Sequence, residues 1–338
     1  MKYLKWLGGL AAMALLMSKP QAAASGAAGA MAHWYRSVAP ALFPFLALMP
    51  LLTCEEAIGA YRSLLAGPMG LFNLPGAAAP AVIVGLTAGT PAGAMTARQI
   101  AARAGMNRGQ LQRLAAATAG FSPAFLVGGV GAGMLNSVGT GWKLLGAQLS
   151  TQLTLMVLLR RCWEDRAEAV EVTEAGSGER PIRGAVLAVL TICGYMALFG
   201  ALAAVLAEWL GRAPSDALLC LLDVPSGALR LSGMALPETA KVAVLAGMCG
   251  FGGMCVIAQS LGALRGCGVD AGEYVGVRFL AGLLCAGYMA LLQGLPNPGE
   301  MAWIEPIREK PLAAGMLIAA VLAGPMLTKT LLNSVNNR

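Results

Sequence analysis

Charged side chains are scarce in this sequence. They make up 12% of its 338 residues, whereas a soluble domain carries about 25%. Histidine occurs once, as His33, and one histidine builds neither a metal centre nor a His-based nucleophilic triad with any redundancy. The eight cysteines form no C-x-x-C pair, and no carboxylate pair, Walker-type loop or metal-ligand spacing appears. These absences predict a protein that is not an enzyme and that holds no metal and no cofactor.

Apolar residues take the place of the missing charges. They amount to 57% of the chain, and the mean hydropathy is +0.67. Several runs are long enough to cross a hydrocarbon core about 30 Å thick, most clearly residues 142–159, 184–207, 275–292 and 311–327. We therefore predict an all-α polytopic membrane protein in a lipid bilayer, with about eight to ten membrane segments, some of them re-entrant.

The net charge of +7 has two explanations. Nucleic-acid binding is one, but membrane proteins also keep an excess of Lys and Arg in their cytoplasmic loops. Four arginines between residues 98 and 113 predict such a cytoplasmic stretch. Within it, Asn107 and Gln110 have the spacing of a helix capping box. The membrane explanation is the stronger one, so no nucleic-acid partner is expected.

Two glycine-rich stretches interrupt apolar segments in the same way. They cover residues 85–93 (GLTAGTPAG) and 247–253 (GMCGFGG), and each is followed at a matching distance by another glycine, Gly105 or Gly266. Glycine and proline break helices, and lipid cannot satisfy the backbone groups that a break leaves free. We predict two broken or re-entrant regions that belong to a two-fold repeat, inverted across the membrane.

The two breaks also predict a binding site. A broken helix exposes N–H groups at the start of one half, which suit a carboxylate, and carbonyl oxygens at the end of the other, which suit a cation. Each break then forms half of a small polar pocket for a small-molecule substrate. Tight helix packing or a simple kink would explain the same glycines. The candidate substrate-binding residues are Gly89, Thr90, Pro91, Gly93, Thr96, Ser122, Pro123, Gly250, Phe251, Gly252, Gly253 and Gln259.

Two charged residues stand inside apolar stretches. Asp223 lies beside Pro225 and Ser226, and Arg278 lies in the run 275–292. A charge at membrane depth indicates a functional residue by default, so both are candidates for a coupling or charge partner. The alternatives are an interfacial position for Asp223 and, for Arg278, a side chain that snorkels from a helix end.

The charged segments divide the chain into five parts. Residues 1–25 predict an N-terminal membrane helix or a signal-like segment, and residues 26–160 the first repeat. Residues 161–183 form a charged linker, which we expect to be cytoplasmic. Residues 184–295 predict the second repeat, and residues 296–338 a C-terminal membrane helix with a tail.

The glycine-rich stretches resemble a known family. Residues 42–52 (LFPFLALMPLL), 85–94 (GLTAGTPAGA), 120–131 (GFSPAFLVGGVG) and 250–259 (GFGGMCVIAQ) are similar to signatures of the sporulation integral membrane protein family of YlbJ type. The resemblance covers about residues 26–295. That family carries a nucleoside-recognition or gate domain, which concentrative nucleoside transporters share. The chain departs from it in reading Gly-Thr-Pro-Ala-Gly where Gly-Tyr-Pro-Ser-Gly is usual, and in lacking a histidine before Gln259.

The resemblance implies a secondary transporter in a bacterial cell membrane or forespore membrane. Its substrate would be a small anionic or nucleoside-like solute, and the family points to dipicolinate, moved between the mother cell and the developing spore. The alternative is a structural or assembly membrane protein of sporulation that transports nothing. Both are compatible with a homo-oligomer.

Overall fold

The structure of the protein is a computed structural model, and it describes residues 2–170, 181–210 and 212–295. Four helix starts are capped by a side chain, that of Asn107, Ser137, Asp223 or Asp270. Three helices end at a glycine, Gly233, Gly252 or Gly294. The helices before the first break are α1 (Lys2–Ser18), α2 (Pro20–His33), α3 (Ala39–Leu52), α4 (Glu55–Leu64), α5 (Ala66–Gly70) and α6 (Ala79–Thr87).

The rest of the described chain is also helical. The next helices are α7 (Ala92–Ala101), α8 (Arg108–Ala117), α9 (Val138–Leu158), α10 (Pro181–Leu210), α11 (Arg212–Leu222), α12 (Val224–Ser232), α13 (Glu238–Phe251), α14 (Gly253–Ala263) and α15 (Ala271–Gln293). Two π-helical segments, Trp34–Val38 and Ala124–Met134, precede α3 and α9. Across the described ranges there is no strand, only an isolated bridge between Asn107 and Ala169. The all-α prediction is confirmed.

Three helices are long and apolar enough to cross a membrane. They are Ile182–Leu210, Glu238–Ala263 and Ala271–Gln293. The second of these takes α13 and α14 together as one span across Gly252. Leu42–Leu52 with Glu55–Leu64 gives a fourth if that pair, bent by 78°, is one span. The protein is therefore membrane-embedded. The larger number expected from the sequence included shorter apolar helices, such as Trp6–Ser18. It also included residues 311–327, which lie outside the described part of the chain, as do all of residues 296–338.

Small residues let α2 and α10 cross closely. A Cβ placed on Gly26 would lie in contact with the carbonyl oxygen of Gly200, and one on Gly200 would lie 2.7 Å from Cβ of Ala30. In a membrane, where apolar burial drives helices together only weakly, such backbone contact is a main source of attraction. The alanine- and glycine-rich stretch at Gly26 and Ala30, which follows the predicted N-terminal segment, thus packs against the first long span.

The helix α15 packs one face into the bundle. It packs against α13, α9 and α8, and it buries Tyr274, Arg278, Cys285 and Met289 on those faces. Its opposite face carries Phe279, which is 62% exposed and is available to lipid. A membrane helix with one polar buried stripe and one apolar outer face positions polar groups inside the bundle.

The first ten residues of the charged linker are packed against the helices. The backbone N–H groups of Arg108 and Gly109 donate to the carbonyl oxygens of Glu168 and Arg166, at 3.0 and 3.2 Å. The capping box of Asn107 is also present, as predicted. Together these contacts satisfy the N–H groups that the start of α8 would otherwise leave free. The linker therefore closes over this end of the bundle.

An ion pair connects the same linker to α15. Arg166 donates to both carboxylate oxygens of Glu273, at 2.8 and 2.7 Å, and this hydrogen bonding raises the pKa of Arg166. A polar groove of about 430 Å³ lies beside the pair, lined by Arg108, Asp165, Glu168 and Asp270 among others. The pair joins the linker of the first half to a helix of the second.

Candidate functional site

The first predicted break separates α6 from α7. Gly89 has φ +76°, a left-handed conformation that favours glycine, and the Thr90–Pro91 peptide is cis. Thr90 donates from both its backbone N–H and its Oγ1 to the carbonyl oxygen of Gly120, at 2.8 and 2.9 Å. A Cβ on Gly89 would lie 2.6 Å from that same oxygen. The break is therefore docked directly against the chain at Gly120.

Gly120 belongs to a non-helical segment between α8 and the second π-helical segment. The side-chain amide of Gln148 pairs with this segment twice, accepting from Phe121 N–H at 2.9 Å and donating to Phe121 C=O at 2.7 Å. Gln152 donates to the carbonyl oxygen of Thr118 at 2.8 Å. Both glutamines are at most 2% exposed. They replace the helical hydrogen bonds that this stretch of backbone lacks.

Gln148, Gln152 and the backbone segment 118–121 form a polar layer inside the bundle. One acceptor in this polar layer has no protein partner. Among the described buried side chains, only Gln152 Oε1 and Arg113 Nε lack a hydrogen bond. Arg113 lies on α8, where its other nitrogens donate to Cys162 C=O and Asn73 C=O and where burial lowers its pKa. Gln152 lies beside the first break. A buried acceptor of this kind is satisfied by a water or by a donor group of a bound molecule.

The second predicted break separates α13 from α14. Gly252 and Gly253 have φ +95° and +74°, so the chain leaves one helix and enters the next with two left-handed residues. A Cβ on Gly253 would lie 3.1 Å from Val224 and 3.3 Å from the carbonyl oxygen of Leu222. The second break thus packs against the turn between α11 and α12.

Arg278 binds the carbonyl end of the second break. It is 2% exposed and donates from Nη2 to Gly250 C=O and from Nε to Phe251 C=O, the latter at 3.1 Å. Its Nη1 donates to Ala119 C=O at 2.7 Å and to Ala116 C=O at 3.3 Å. The predicted alternative of a snorkelling side chain does not describe these contacts, because the guanidinium lies inside the bundle. The same arginine therefore touches the second break and the segment that holds the first.

Several other predicted residues lie outside this polar layer. Thr96 donates to Ala92 C=O of its own helix and to Met49 Sδ on α3, and Gln259 donates to Cys255 Sγ of its own helix at 3.2 Å. Both side chains are buried, and none of these bonds is made to Gln148, Gln152 or the segment 118–121.

Three more candidates have structural contacts of their own. Gly93 lies against Gly85, since a Cβ on Gly93 would be 2.6 Å from Cα of Gly85. Ser122 accepts from Phe125 N–H at 3.3 Å, and Pro123 precedes the second π-helical segment. These positions shape the backbone around the layer.

Asp223 is the N-cap of α12. Its carboxylate accepts from the N–H of Ser226 at 3.2 Å and from Ser226 Oγ at 2.5 Å. It stands in the turn that packs against Gly253, so it lies beside the second break rather than in contact with Arg278. Helix capping accounts for its position at the end of an apolar helix.

Sequence reasoning missed Gln148 and Gln152. Both lie in the run 142–159, which was selected for its apolar character. Their spacing of four residues puts the two amides on one face of a helix. Two amides on one face of an otherwise apolar span are a readable signal, because each requires a polar partner inside the membrane.

With this geometry in place, comparison with known proteins gives one informative relative. The sporulation integral membrane protein YlbJ of Bacillus subtilis (strain 168) is 28% identical to the chain over 148 residues. The chain is similar to this YlbJ protein over that stretch. The alignment covers 44% of this chain and 36% of that YlbJ protein. No protein-family model matches the chain, and no solved structure gives a significant match.

The YlbJ-type relationship confirms two sequence predictions. The resemblance to that family is one, and the membrane location is the other, which the three apolar spans support independently. The nucleoside-recognition domain, the repeat and the substrate stay predictions. The relative's printed name describes an integral membrane protein of sporulation and specifies no solute.

Proposed function

We propose that the protein is a secondary transporter of a small carboxylate or nucleoside-like solute in a bacterial sporulation membrane, with dipicolinate as the first solute to test. The observation that carries the proposal is the connection between the two helix breaks. Thr90 of the first break binds Gly120, and Arg278 binds both the neighbouring Ala119 and the second break at Gly250. Broken helices that meet inside a bundle are the usual setting of transporter sites.

The polar layer offers complementary groups to such a solute. The start of α14 has backbone N–H groups, and a helix start favours a carboxylate. Gln152 Oε1 is an acceptor with no protein partner, and it suits an N–H or O–H donor. A solute with an acidic group suits the first feature, and a solute with a donor suits the second. Small carboxylic acids and nucleoside-like molecules each carry one or both of these groups.

Corresponding positions of the two halves are separated by the same number of residues, which supports a mechanism of alternating access. The start of α7 at Ala92 and the start of α14 at Gly253 are separated by the same interval as Gly105 and Gly266. Both of these later glycines have positive φ. Under the proposal, the two broken units form an inverted repeat and rock against each other, so that each side of the membrane gains access in turn.

The experiment is solute uptake into liposomes that contain the purified protein. Labelled dipicolinate and labelled uridine are supplied outside, and uptake is compared with empty liposomes. Thr90→Val should reduce uptake, because it removes the Oγ1 bond to Gly120 while nearly conserving volume. Thr87→Val is the matched control, since the exposed Thr87 donates only to Ile83 C=O of its own helix.

A second function is favoured by a separate observation. The carbonyl oxygens at the second break are already bound by Arg278, as expected if the breaks serve close packing in a structural or assembly protein. In that case no candidate solute enters the liposomes, Thr90→Val and Thr87→Val behave alike, and a protein partner is recovered with the purified chain. Uptake above the empty-liposome level excludes this alternative.

A further inference from the structure

Arg278 lies at an unusual place for a charged residue. It is the eighth of the 23 residues of a membrane-spanning helix and is 2% exposed, and none of the described acidic side chains forms an ion pair with it. A buried cation without compensation would be strongly unfavourable. Something in its surroundings must therefore supply negative charge.

Two helix C-termini supply that charge. Gly250 and Phe251 are the last residues of α13, and Ala116 lies in the last turn of α8, with Ala119 just beyond it. The end of a helix carries a partial charge of about −0.5, so two ends aimed at one guanidinium approach a full negative charge. Four of its N–H directions are already used on these carbonyl oxygens.

These contacts also join the two breaks. Ala119 precedes Gly120, whose carbonyl oxygen holds Thr90 of the first break. Gly250 and Phe251 form the carbonyl end of the second break. The separation of the two breaks is thus set through one side chain on α15.

We propose that Arg278 is a positioning residue, which holds the two breaks at a fixed separation and does not itself contact the solute. The inference rests on the proposed transport function and specifies the role of one residue in that site. It contrasts with the prediction from the sequence, in which Arg278 would offer its charge to a coupling ion or an anion. A guanidinium has five N–H donors, and one that donates four times to backbone carbonyl oxygens cannot also form a two-bond contact with a carboxylate.

The chain contains a matched control arginine. Arg98 on α7 also donates to carbonyl oxygens at a helix end, Ala263 and Arg265 at the end of α14, at 2.8 and 3.2 Å. It differs in being partly exposed and in binding the far end of α14, ten residues past Gly253. Arg98→Gln therefore removes the same kind of bond without releasing the breaks.

The test reads the second break directly through Cys255. This cysteine lies in the first turn of α14 and is 1% exposed, so it reacts with N-ethylmaleimide only when the structure opens locally. The full-length protein in liposomes is treated with N-ethylmaleimide, and modification of Cys255 is followed by peptide mass spectrometry. Arg278→Gln should speed this modification about 10-fold or more, because four buried carbonyl bonds are lost. Arg98→Gln should leave it unchanged, and Arg278→Lys should give an intermediate rate.

Uptake kinetics separate positioning from solute contact. A positioning role predicts that Arg278→Lys lowers the maximal uptake rate about 10-fold while KM changes less than about 2-fold. Unchanged modification of Cys255 in both Arg278 variants, or a raised KM for anionic solutes with the maximal rate retained, would overturn the inference. If Arg278→Gln does not fold, the lysine variant decides by the same two measurements. If the unsubstituted protein takes up nothing, the transport proposal fails, and the modification rates alone still judge the role of Arg278.

Discussion

The packing of α13 on α15 predicts opposite effects for two glycines one turn apart. A Cβ on Gly250 would lie 2.6 Å from both the carbonyl oxygen of Ala281 and Cβ of Cys285. A Cβ on Gly247 would lie 3.5 Å from its two nearest atoms, Cβ of Ala286 and the carbonyl oxygen of Gly282. Since carbon atoms pack best at about 3.5–4.0 Å, the first site has no room for a methyl group and the second has just enough.

The magnitudes follow from two opposing effects. Alanine favours a helix over glycine by about 1 kcal/mol at either position. Forcing a methyl group into a tightly packed contact costs about 1–3 kcal/mol. We therefore expect Gly247→Ala to stabilise the protein by about 0.5–1 kcal/mol and Gly250→Ala to be neutral or destabilising by up to about 2 kcal/mol. The two variants should differ by about 1–3 kcal/mol in their free energies of unfolding.

Unfolding by sodium dodecyl sulfate in mixed micelles, followed by helical circular dichroism, measures this difference. Each variant is compared with the unsubstituted protein at the same detergent composition. If Gly250→Ala is as stable as Gly247→Ala, the backbones of α13 and α15 do not approach as closely as the structure describes. The binding of Arg278 to the carbonyl oxygen of Gly250 would then be wrong as well, because it depends on the same approach.

Three further predictions test the polar groups. Gln148→Leu should destabilise the protein by about 2–4 kcal/mol in the same unfolding assay, because the buried N–H and C=O of Phe121 lose their partners. Asp223→Asn should keep both stability and uptake, since an asparagine also caps a helix, whereas Asp223→Ala should lose about 1 kcal/mol. Glu273→Gln should destabilise the protein slightly and less at high salt, as measured by thermal unfolding. Because the pKa of Arg166 is raised, the contribution of its charge is present at neutral pH and is lost only in strong alkali.

For each of these three predictions there is an outcome that would contradict it. Gln293→Leu removes a bond of the same type near the surface and should cost less than Gln148→Leu, so equal losses would contradict the buried pairing with Phe121. Loss of uptake in Asp223→Asn with unchanged stability would restore Asp223 as a coupling residue. A loss in Glu273→Gln that salt does not reduce would show that the partner carboxylate acts by packing rather than by charge.

The sequence predicted the breaks well because their signal is local. Gly89, Gly252 and Gly253 have left-handed φ values that other residues rarely adopt, so their positions could be read from residue type. The capping box of Asn107 and Gln110 was readable for the same reason. Two of the four clearest apolar runs, 184–207 and 275–292, lie in spans of the structure, since length and hydropathy decide whether a helix can cross a membrane.

The partners of the breaks could not be read in that way. The contact of Arg278 with Ala116, Ala119 and Gly250 joins residues far apart in the chain, and carbonyl oxygens are present at every position. Residue type therefore gives no indication of which carbonyl an arginine will find. Asp223 looked like a charge at membrane depth, but its position at the start of α12 depends on where the preceding helix ends. A boundary shifted by a few residues changes such a side chain from buried to capping.

The buried arginine of α15 has a consequence for how the protein enters the membrane. An arginine at the centre of a helix disfavours insertion through the translocon by about 2.5–3.5 kcal/mol. Arg278 is the eighth of 23 residues and carries part of that cost, although the helix has a hydropathy of 1.8 in its best window. The carbonyl ends that neutralise Arg278 belong to α8 and α13, and both precede α15 in the chain. They are therefore synthesised first and are available when α15 leaves the ribosome. Order of synthesis thus favours insertion of α15 next to helices already in place, and a circularly permuted chain in which α15 comes ahead of them would lose that advantage.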